Sequence, residues 1–398
     1  MSTGIFPPVE FQMSLLLFIA LGGYLLASRI NQSAVVGEIL IGLLFGPSFL
    51  GLITYTDFVR SIAGLGAVIL MFVIGFEFSL KELSNIKFGI LGISGVIVPW
   101  IGGYLLAVLF DFDFTTSLFI GTALTATSIA ITANVLREMC LLNTDAAKAI
   151  IGAAVIDDVL SLLALSITAD LASGAFSFTG IALTIAKQIG FLVIAGAFGI
   201  IFISRWIEKI DRTRLARKHP EFVFIFAVMI AFLYATLSEY FGISAIIGAF
   251  IAGVSINGVD LTHSRDIEEG AEYLYIIFAS IFFVSLGILV DVSVMTTGGL
   301  VFLIVLTTVA ILTKVVGCSI PAILLGYSKK DSLAIGLGMS PRGEVAMIVA
   351  LMGLNMALIG QDIFVSIIMM SLITTIFTPI VFRNWLYKKE ALACEAEF

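Results

Sequence analysis

Two adjacent carboxylates interrupt an apolar stretch that reads Gly152-Ala-Ala-Val-Ile-Asp157-Asp158-Val-Leu-Ser-Leu-Leu-Ala-Leu165. The apolar run around them, from Ala146 to Ala169, exceeds the roughly 20 residues that a helix needs to cross a bilayer. One Asp at membrane depth costs roughly 2.5–3.5 kcal/mol on insertion scales, so helix packing alone is a poor explanation for two. Adjacent residues on a helix point about 100° apart. Asp157 and Asp158 therefore face different neighbours, and the pair predicts a functional site inside a membrane.

The composition of the whole chain agrees with a membrane location. Of its 398 residues, 60% are hydrophobic and 12% are charged, and the mean hydropathy is +1.14. A soluble domain carries about twice that share of charged residues. We therefore predict an all-α polytopic membrane protein in a lipid bilayer. The formal net charge of −7 says little about partners, because the charges lie in loops on two sides of a membrane, and no nucleic acid partner is predicted.

The three cysteines, Cys140, Cys318 and Cys394, lie far apart in the sequence. Their spacing fits neither a metal site nor a disulfide framework. We expect them to be packing or terminal residues.

Hydropathy windows of about 20 residues divide the chain into thirteen apolar segments. They lie near 10–28, 33–53, 59–78, 88–110, 116–136, 146–169, 178–204, 221–238, 243–257, 272–290, 297–325, 332–355 and 363–382. Of the 21 Lys and Arg residues, 17 fall at one set of span ends and two at the other, while Lys314 and Arg342 lie inside spans. Because cytoplasmic loops carry excess positive charge, this asymmetry predicts an outside N-terminus and a cytoplasmic C-terminus. We expect a multi-pass protein of the plasma membrane.

An internal repeat links the two halves of the chain. Span 2 contains Ser33-Ala-Val-Val-Gly-Glu-Ile-Leu-Ile-Gly42, and span 9 contains Ser244-Ala-Ile-Ile-Gly-Ala-Phe-Ile-Ala-Gly253. The next span in each half carries Phe-Val followed by Gly, starting at Phe72 and at Phe283. Spans 1–6 thus correspond to spans 8–13, with span 7 as the link, and the offset of seven spans inverts one half. Inverted repeats are typical of transporters that bind substrate at the midplane on broken helices.

Spans 5 and 12, which correspond in this repeat, are predicted to break. Span 5 contains Thr125-Ala-Thr127-Ser128, and span 12 contains Met339-Ser-Pro341-Arg342-Gly-Glu344. Pro removes a backbone hydrogen bond, and Gly relaxes the chain. Carbonyls freed at membrane depth are tolerated only where they line a cavity or are buried in protein. With the hydroxyls of Thr127 and Ser128 they would suit a small alkali cation, whereas ordinary hydroxyl bonding within a helix is the alternative for these two residues.

Lys314 lies about midway along span 11, too deep to reach the membrane surface easily. It requires a carboxylate partner, and Asp157 and Asp158 are the deepest ones. A Lys–Asp pair would keep one Asp ionised and leave the other to bind a cation or a proton. Such competition is the minimum machinery of an antiporter, whereas a purely structural ion pair is the alternative. Arg342 and Glu344 are interpreted as a structural pair that neutralises the ends of the broken helix.

Four other ionisable residues lie near span ends or in loops. Glu38 and Glu77 are expected to be solvated end residues, with a place in an access funnel as the alternative. His219 and His263 are expected to be solvated loop residues. The deep charges, rather than these four residues, are therefore expected to carry the chemistry.

Four segments together resemble the NapA-type sodium/proton antiporters of the second cation:proton antiporter family, which also includes Kef-type potassium/proton systems. They are Gly152-Ala-Ala-Val-Ile-Asp157-Asp158-Val-Leu160, Thr122-Ala-Leu-Thr-Ala-Thr127-Ser128, Met339-Ser-Pro-Arg342-Gly-Glu344-Val345 and Val36-Gly-Glu38-Ile-Leu-Ile-Gly-Leu-Leu-Phe-Gly-Pro47. The resemblance covers essentially the whole chain. Its most specific part is the Asp-Asp pair combined with a Lys in the middle of a span.

The resemblance implies a homodimer that transports by an elevator-like movement. A dimerisation domain would comprise 1–85 and 220–295, and a mobile core would comprise 86–172 and 296–390. A linker helix in 173–219 would join them, and 391–398 would form a cytoplasmic tail. The broken spans 5 and 12 would cross inside the core. No cofactor is implied besides the transported Na+ and H+.

The resemblance also implies roles for individual residues. Asp158 would be the main carboxylate that carries cation and proton, Asp157 would pair with Lys314, and the two aspartates would form the Na+ site. Thr127 and Ser128 would lie at the crossing of the broken spans. The residues that would support this crossing are Pro341, Arg342 and Glu344. The Asp-Asp form with a Lys is typical of electrogenic exchange, with more than one proton per sodium ion.

The predicted function is secondary active exchange of sodium or lithium for protons, and not enzymatic catalysis. Kef-type members typically carry Gln-Asp, so the Asp-Asp pair favours sodium, while potassium/proton exchange stays open as the alternative. A sodium-coupled organic-anion symporter is less favoured, because no groups are left to bind a bulky substrate. An intramembrane aspartyl protease is not favoured, because it needs two carboxylates on facing helices, whereas Asp157 and Asp158 are adjacent on one helix. A passive channel fits poorly with a titratable Lys–Asp pair.

Overall fold

A computed structural model of the chain describes residues 8–76, 78, 85–173, 178–219, 221–257, 259, 267–292 and 295–395. Glu77 and His263 lie outside these residues, and so does the side chain of Glu344, although the backbone of Glu344 is described. Every regular element in the described part of the chain is a helix.

The α-helices are α1 Val9–Arg29, α2 Ala34–Phe45, α3 Asp57–Gly75, α4 Ile86–Leu109, α5 Phe114–Ala123, α6 Ile129–Glu138, α7 Asp145–Ser173, α8 Phe178–Phe198, α9 Ser204–Asp211, α10 Arg214–Lys218, α11 Glu221–Tyr240, α12 Ala245–Ile256, α13 Ile267–Ile288, α14 Thr297–Leu324, α15 Lys329–Gly338, α16 Glu344–Asn355, α17 Gln361–Val381 and α18 Lys388–Glu395. Two π-helical turns, Gly199–Ile203 and Phe382–Leu386, continue α8 and α17.

Apolar length is the property that most of these helices share. Within the described residues, nine helical segments have at least 18 residues and are apolar enough to cross a membrane. Shorter apolar helices accompany them, among them α2, α5 and α12. A helix satisfies its backbone hydrogen bonds internally, which is the requirement that lipid imposes on a spanning segment. The polytopic helical membrane fold predicted from composition is therefore confirmed.

The helices pack in two bundles. In the first, which we call the scaffold bundle, α1–α3 pack with α11–α13. In the second, the core bundle, α4–α7 pack with α14–α17. Contacts between the bundles are sparser and include α2 with α17 and α3 with α6. The paired carboxylates lie on α7 and therefore belong to the core bundle.

The scaffold bundle is held by close backbone approach where α3 crosses α12. A Cβ atom on Gly75 would lie 2.9 Å from the Gly253 Cα, and a Cβ atom on Gly253 would lie 2.9 Å from the Gly75 Cα. Real Cβ atoms essentially never come this close to a backbone atom, so any larger residue would push the helices apart. Small residues at such contacts are the usual means of tight helix packing in membranes.

A disulfide joins Cys140 and Cys394, whose Cα atoms are 6.0 Å apart, while Cys318 is free and buried. The expectation that the cysteines form no disulfide was therefore wrong for two of the three. The bond ties α18 to the segment that follows α6. A sequence separation of 254 residues hides this proximity from any argument based on spacing, because it depends on how the last helix folds back.

Candidate functional site

Two interrupted helices meet inside the core bundle. The first breaks between α5 and α6, at residues 124–128, and the second between α15 and α16, at residues 339–343. The backbone N–H of Ser128 donates to the Pro341 carbonyl at 2.8 Å. The Thr127 hydroxyl donates to the Met339 carbonyl at 3.1 Å. Both predicted interruptions are thus observed, and each satisfies backbone groups that the other has freed.

The threonine and serine of the first interruption do not bond back along their own helix. The Thr127 hydroxyl crosses to the second interruption, as described above, and the Ser128 side chain makes no capping bond at the start of α6. One turn further on, the Thr132 hydroxyl also crosses, to the Gly338 carbonyl at 2.6 Å. Ordinary hydroxyl bonding within a helix, the alternative for Thr127 and Ser128, is therefore not what the structure shows.

Lys314 of α14 has no exposed surface, and its ammonium group donates three hydrogen bonds. The acceptors are Asp157 Oδ1 at 2.6 Å, the Gly95 carbonyl at 2.6 Å and the Thr125 carbonyl at 2.7 Å. An ammonium has three donors, so each of them has an acceptor. Such additional hydrogen bonds are what make a buried ion pair tolerable. Lys314 therefore joins the carboxylate pair to the first interruption.

Arg342, in the second interruption, is also fully buried. Its guanidinium donates to the Ala126 carbonyl at 2.6 Å and to the carbonyls of Thr125 and Ala310 at 3.2 Å each. The first two carbonyls follow the C-terminal end of α5, where unpaired carbonyls and the helix dipole favour a cation. Arg342 thus bonds the backbone of a broken-helix end. Its predicted pairing with Glu344 concerns a side chain outside the described residues.

Threonines of α17 support the second interruption, although α17 carries no residue that was predicted for the site. The Thr375 hydroxyl donates to the Arg342 carbonyl at 3.0 Å, and the Thr374 hydroxyl accepts from the Arg342 N–H at 3.2 Å. The Thr378 hydroxyl donates to the Leu337 carbonyl at 3.1 Å. The available signal is the run Thr374-Thr375-Ile-Phe-Thr378 in an apolar span, since clustered hydroxyls at membrane depth need a polar neighbour.

Asp158 has different surroundings from Asp157. It is 5% exposed and borders a cavity of about 20 Å³. The other residues that line this cavity are Thr127, Ser128, Ile129, Ser244, Ile246, Ile247 and Val345. A cavity needs roughly 10–15 Å³ to hold one water molecule. The space at Asp158 therefore has the size of one water molecule or one small bare ion, and its polar walls are hydroxyl and carboxylate oxygens, the ligands that hard cations prefer.

The unequal surroundings give the two carboxylates unequal chemistry. Asp157 is neutralised by Lys314, and neither side chain of this pair reaches solvent. The described residues that line the cavity at Asp158 include no basic side chain. A carboxylate that borders an ion-sized space in this way can take up either a cation or a proton.

Glu38 lies between the bundles, so the expectation of a solvated end residue was wrong. Its side chain is 3% exposed and borders a cavity of about 360 Å³ between α1, α2, α6 and α13. Glu138, which the sequence reading did not single out, lines the same cavity and accepts from the Asn134 amide at 3.0 Å and from the Ala34 N–H at 3.2 Å. The burial of Glu38 depends on helices that are distant in the sequence.

For His219 the expected solvated position is confirmed, since half of its side chain is exposed.

Fold and site together define a helical membrane transport protein, in which a buried Lys–Asp pair adjoins two interrupted helices. The family model described as sodium/hydrogen exchanger, transmembrane, matches residues 16–388. The chain belongs to this family, whose members are transporters and not enzymes.

Individual relatives match the chain over almost its whole length. It is 32% identical over 381 residues to the Na(+)/H(+)-K(+) antiporter GerN of Bacillus cereus, covering 93% of this chain and 94% of the relative. It is 35% identical over 367 residues to the probable Na(+)/H(+) antiporter GerT of the same organism, covering 90% and 94%. A Na(+)/H(+) antiporter of Enterococcus hirae is 29% identical over 368 residues, covering 91% and 94%.

Solved structures show the same fold at lower sequence identity. The sodium proton antiporter MjNhaP1 from Methanocaldococcus jannaschii superimposes with a TM-score of 0.70 at 18% identity, covering 96% of this chain and 98% of that chain. The likeness extends over the whole architecture, so the arrangement of helices described above is that of a polytopic antiporter fold.

Proposed function

We propose that this protein is a secondary active sodium/proton antiporter in which Na+ or Li+ competes with protons for Asp158. The observation that carries the proposal is the unequal carboxylate pair. Asp157 is bound to Lys314, while Asp158 borders an ion-sized cavity where the interrupted helices meet. Two relatives support the same exchange by name, the probable Na(+)/H(+) antiporter GerT of Bacillus cereus and the Na(+)/H(+) antiporter of Enterococcus hirae.

A cation and a proton would not bind Asp158 at the same time. The cation would be held by the Asp158 carboxylate, with oxygens of Thr127 and Ser128 replacing part of its water shell. Asp157 would add negative charge to the Na+ site, offset by Lys314. A proton on Asp158 removes the charge that holds the cation, so one ligand leaves as the other arrives. The Lys314–Asp157 pair places a second carboxylate near Asp158, and we propose that exchange is electrogenic, with more than one proton per Na+.

The proposed membrane architecture has thirteen spans arranged as an inverted repeat. Nine long segments account for nine spans, and α2, α5 with α6, α12, and α15 with α16 supply four more. Two features support the repeat: α2 and α12 each have 12 residues and follow a serine, and the interrupted pairs fall at corresponding places in the two halves. The N-terminus would lie outside the plasma membrane and the C-terminus in the cytoplasm.

Movement of the core bundle against the scaffold bundle would carry the ion across the membrane. The proposed boundaries are 1–85 with 220–295 for a dimerisation domain, which would form a homodimer, and 86–172 with 296–390 for the moving core. Contacts between the bundles include pairs of polar side chains, such as Arg137 with Glu272 and Asn134 with Tyr275. Such contacts can break and re-form without any change in the backbone.

Proton flux in sealed vesicles of the purified protein tests the function. A pH dye reports whether added Na+, Li+ or K+ relieves an imposed acid-inside gradient. We expect Na+ and Li+ to relieve this gradient. Asp158→Asn should lower the rate of the response at least a hundredfold while the protein stays folded. Asp170→Asn, at the far end of the same helix and partly exposed, is the matched control and should respond like the wild type. Full activity of Asp158→Asn would refute the proposed site.

Potassium/proton exchange is the second candidate. One observation favours it, since the name of the Bacillus cereus relative GerN includes K(+) beside Na(+) and H(+). The same vesicles separate the two candidates. A K+ response equal to or larger than the Na+ response would assign the protein to potassium exchange, whereas a response to Na+ and Li+ alone would assign it to sodium exchange.

A further inference from the structure

An apolar groove of about 330 Å³ lies between α8 and α11. Ile194 of α8 and Leu233 of α11 line it and are 69% and 48% exposed, so the groove opens to the surface that lipid would cover. The Tyr234 hydroxyl, in the groove wall, donates to the Ala195 carbonyl at 3.0 Å, so its proton is already bonded. The groove therefore suits a hydrocarbon chain, because a polar group buried against these walls would lose its hydrogen bonds to water.

The groove has the length of an acyl chain in one leaflet. Its wall at α11 extends over residues 230–241, which cover about 16 Å at the rise of 1.5 Å per residue. The hydrocarbon core of a bilayer is about 30 Å thick, so one leaflet supplies about 15 Å. The rings of Phe191 and Phe241 stack at one end of the groove, with centroids 5.2 Å apart. Trp206 lies at the other end, where its ring is 5.8 Å from that of Phe198.

A basic cluster follows the groove in the sequence. Residues 205–218, on α9, α10 and the turn between them, include six basic side chains and two acidic ones. Arg212 pairs with Glu208, whereas among the described residues no ion pair joins an acidic side chain to Arg205 or Lys209. The six basic residues are all exposed: Arg205, Lys209, Arg212, Arg214, Arg217 and Lys218. A basic cluster of this size next to a membrane span attracts anionic lipid head groups.

The geometry of α9 places two of these basic residues beside the end of the groove. Trp206 borders the groove, and Lys209 follows it by three residues, which makes the two side chains neighbours on the helix surface. Arg205 lies four residues before Lys209 and is its neighbour in the same way. The Ser204 hydroxyl donates to the Ser255 carbonyl and fixes the start of α9 against α12. Tryptophan is enriched at the level of the lipid head groups, so Lys209 and Arg205 lie at the depth of the phosphates.

We propose that the groove and the basic cluster together bind one anionic phospholipid, with an acyl chain between α8 and α11 and the phosphate on Lys209 and Arg205. Excess positive charge alone is usual in a cytoplasmic loop, and the groove that ends beside this charge is what makes a site for a single lipid. A second copy of the chain is a poorer occupant. A twofold interface brings the same patch of both copies together, so the two basic clusters would repel each other. The inference does not depend on exchange at Asp158.

Lipid titration of the purified protein in detergent tests the site. The thermal midpoint is recorded while dioleoylphosphatidylglycerol or dioleoylphosphatidylcholine is added, since a ligand that binds the folded state raises the midpoint. We expect the anionic lipid to act at a concentration at least about tenfold lower than the zwitterionic lipid, because it lacks the ammonium group that the basic cluster repels. Glycerol 3-phosphate, which has a phosphate but no acyl chain, should leave the midpoint unchanged.

One pair of variants tests the head-group contacts. Arg205→Gln combined with Lys209→Gln should weaken binding of phosphatidylglycerol roughly thirtyfold, from the usual contribution of two basic residues near an anionic lipid. Lys388→Gln combined with Lys389→Gln is the matched control, because it removes two exposed positive charges from α18, far from the groove in the sequence. This control should bind the lipid like the wild type.

A second pair of variants tests the groove itself. Ile194→Trp fills the groove with a large ring and should weaken binding of both lipids. Val193→Trp is the matched control, because Val193 is 64% exposed, adjoins Ile194 and is not part of the groove wall. Both replaced side chains are exposed, so both variants should unfold at the wild-type midpoint when no lipid is added.

The outcomes separate the possible occupants of the groove. Loss of phosphatidylglycerol binding in the Arg205/Lys209 variant and in Ile194→Trp, with both controls unchanged, would establish the site. Equal binding of the two lipids, or stabilisation by glycerol 3-phosphate alone, would overturn it. Light scattering reports the oligomeric state of each variant. If Ile194→Trp dissociates a dimer and keeps its lipid affinity, the groove is a contact between two copies of the chain and the proposal is wrong.

Discussion

At the scale of single residues, the Lys314–Asp157 ion pair is a contact whose loss should strongly destabilise the core bundle. Neither side chain reaches solvent. Removal of one partner from a buried ion pair costs about 3–5 kcal/mol, because the other charge stays buried without compensation. We therefore expect Lys314→Ala to lower the thermal midpoint of the purified protein more than Lys314→Ala combined with Asp157→Asn. Thermal unfolding in detergent measures this difference.

An exposed ion pair provides the control for that experiment. Lys330 lies 2.6 Å from Glu390, and each of these side chains is at least 40% exposed. Exposed pairs contribute about 0–1 kcal/mol, so Lys330→Ala should shift the midpoint little. Equal losses in the single and the double variant of the buried pair would show that Lys314 stabilises through the Gly95 and Thr125 carbonyls rather than through Asp157.

Single residues also show how far a sequence can predict this site. Asp157, Asp158 and Lys314 stand out because a charge within an apolar span is visible without any structure. The residues alone left open which Asp meets Lys314, since that depends on how α7 and α14 face each other. Glu38 was misjudged for a similar reason, because α13, more than 220 residues away, buries it.

At the scale of elements, the crossing of α3 and α12 is the contact most sensitive to volume. A Cβ atom on Gly253 would lie 2.9 Å from the Gly75 Cα, so we expect Gly253→Ala to lower the thermal midpoint. Gly89 of α4 is the matched control, because a Cβ atom there would have no neighbour within 4 Å. Alanine favours a helix over glycine by about 1 kcal/mol, so Gly89→Ala should leave the midpoint unchanged or raise it. Equal losses in both variants would contradict the importance of this crossing.

Elements were predictable where local chemistry defines them. Pro341, Gly343 and the hydroxyls near Thr127 predicted both interruptions, because each feature weakens a helix regardless of its surroundings. The end of span 7 was not predictable from hydropathy. The apolar window stops at 204, but the helix continues through a π-turn to Asp211, since a polar helix can extend beyond the apolar layer.

For the molecule as a whole, the last helix fastens distant parts of the chain together. The disulfide from Cys394 reaches the end of α6, and Glu390 pairs with Lys330 at the start of α15. Lys330 holds the pKa of Glu390 below its ordinary value of 4.5. A carboxyl group whose pKa is lowered by folding stabilises above its ordinary pKa, so this attachment is present at neutral pH and is lost as the solution is acidified below that value. The spacing of the cysteines predicted neither the disulfide nor the contacts of the last helix.

The disulfide yields a prediction for the whole molecule. A bond that closes a long loop restricts the unfolded chain and typically stabilises by about 2–4 kcal/mol. We expect a reductant to lower the thermal midpoint of the oxidised wild type and to have no effect on Cys394→Ser, whose midpoint should match that of the reduced wild type. Cys318→Ser, which changes the free cysteine, should keep the sensitivity to reductant. Cytosolic thiols are kept reduced, so if the C-terminus lies in the cytoplasm as proposed, α18 would be held by its non-covalent contacts until oxidation adds the bond. If a reductant leaves the thermal midpoint of the wild type unchanged, the disulfide at Cys394 does not stabilise the folded chain.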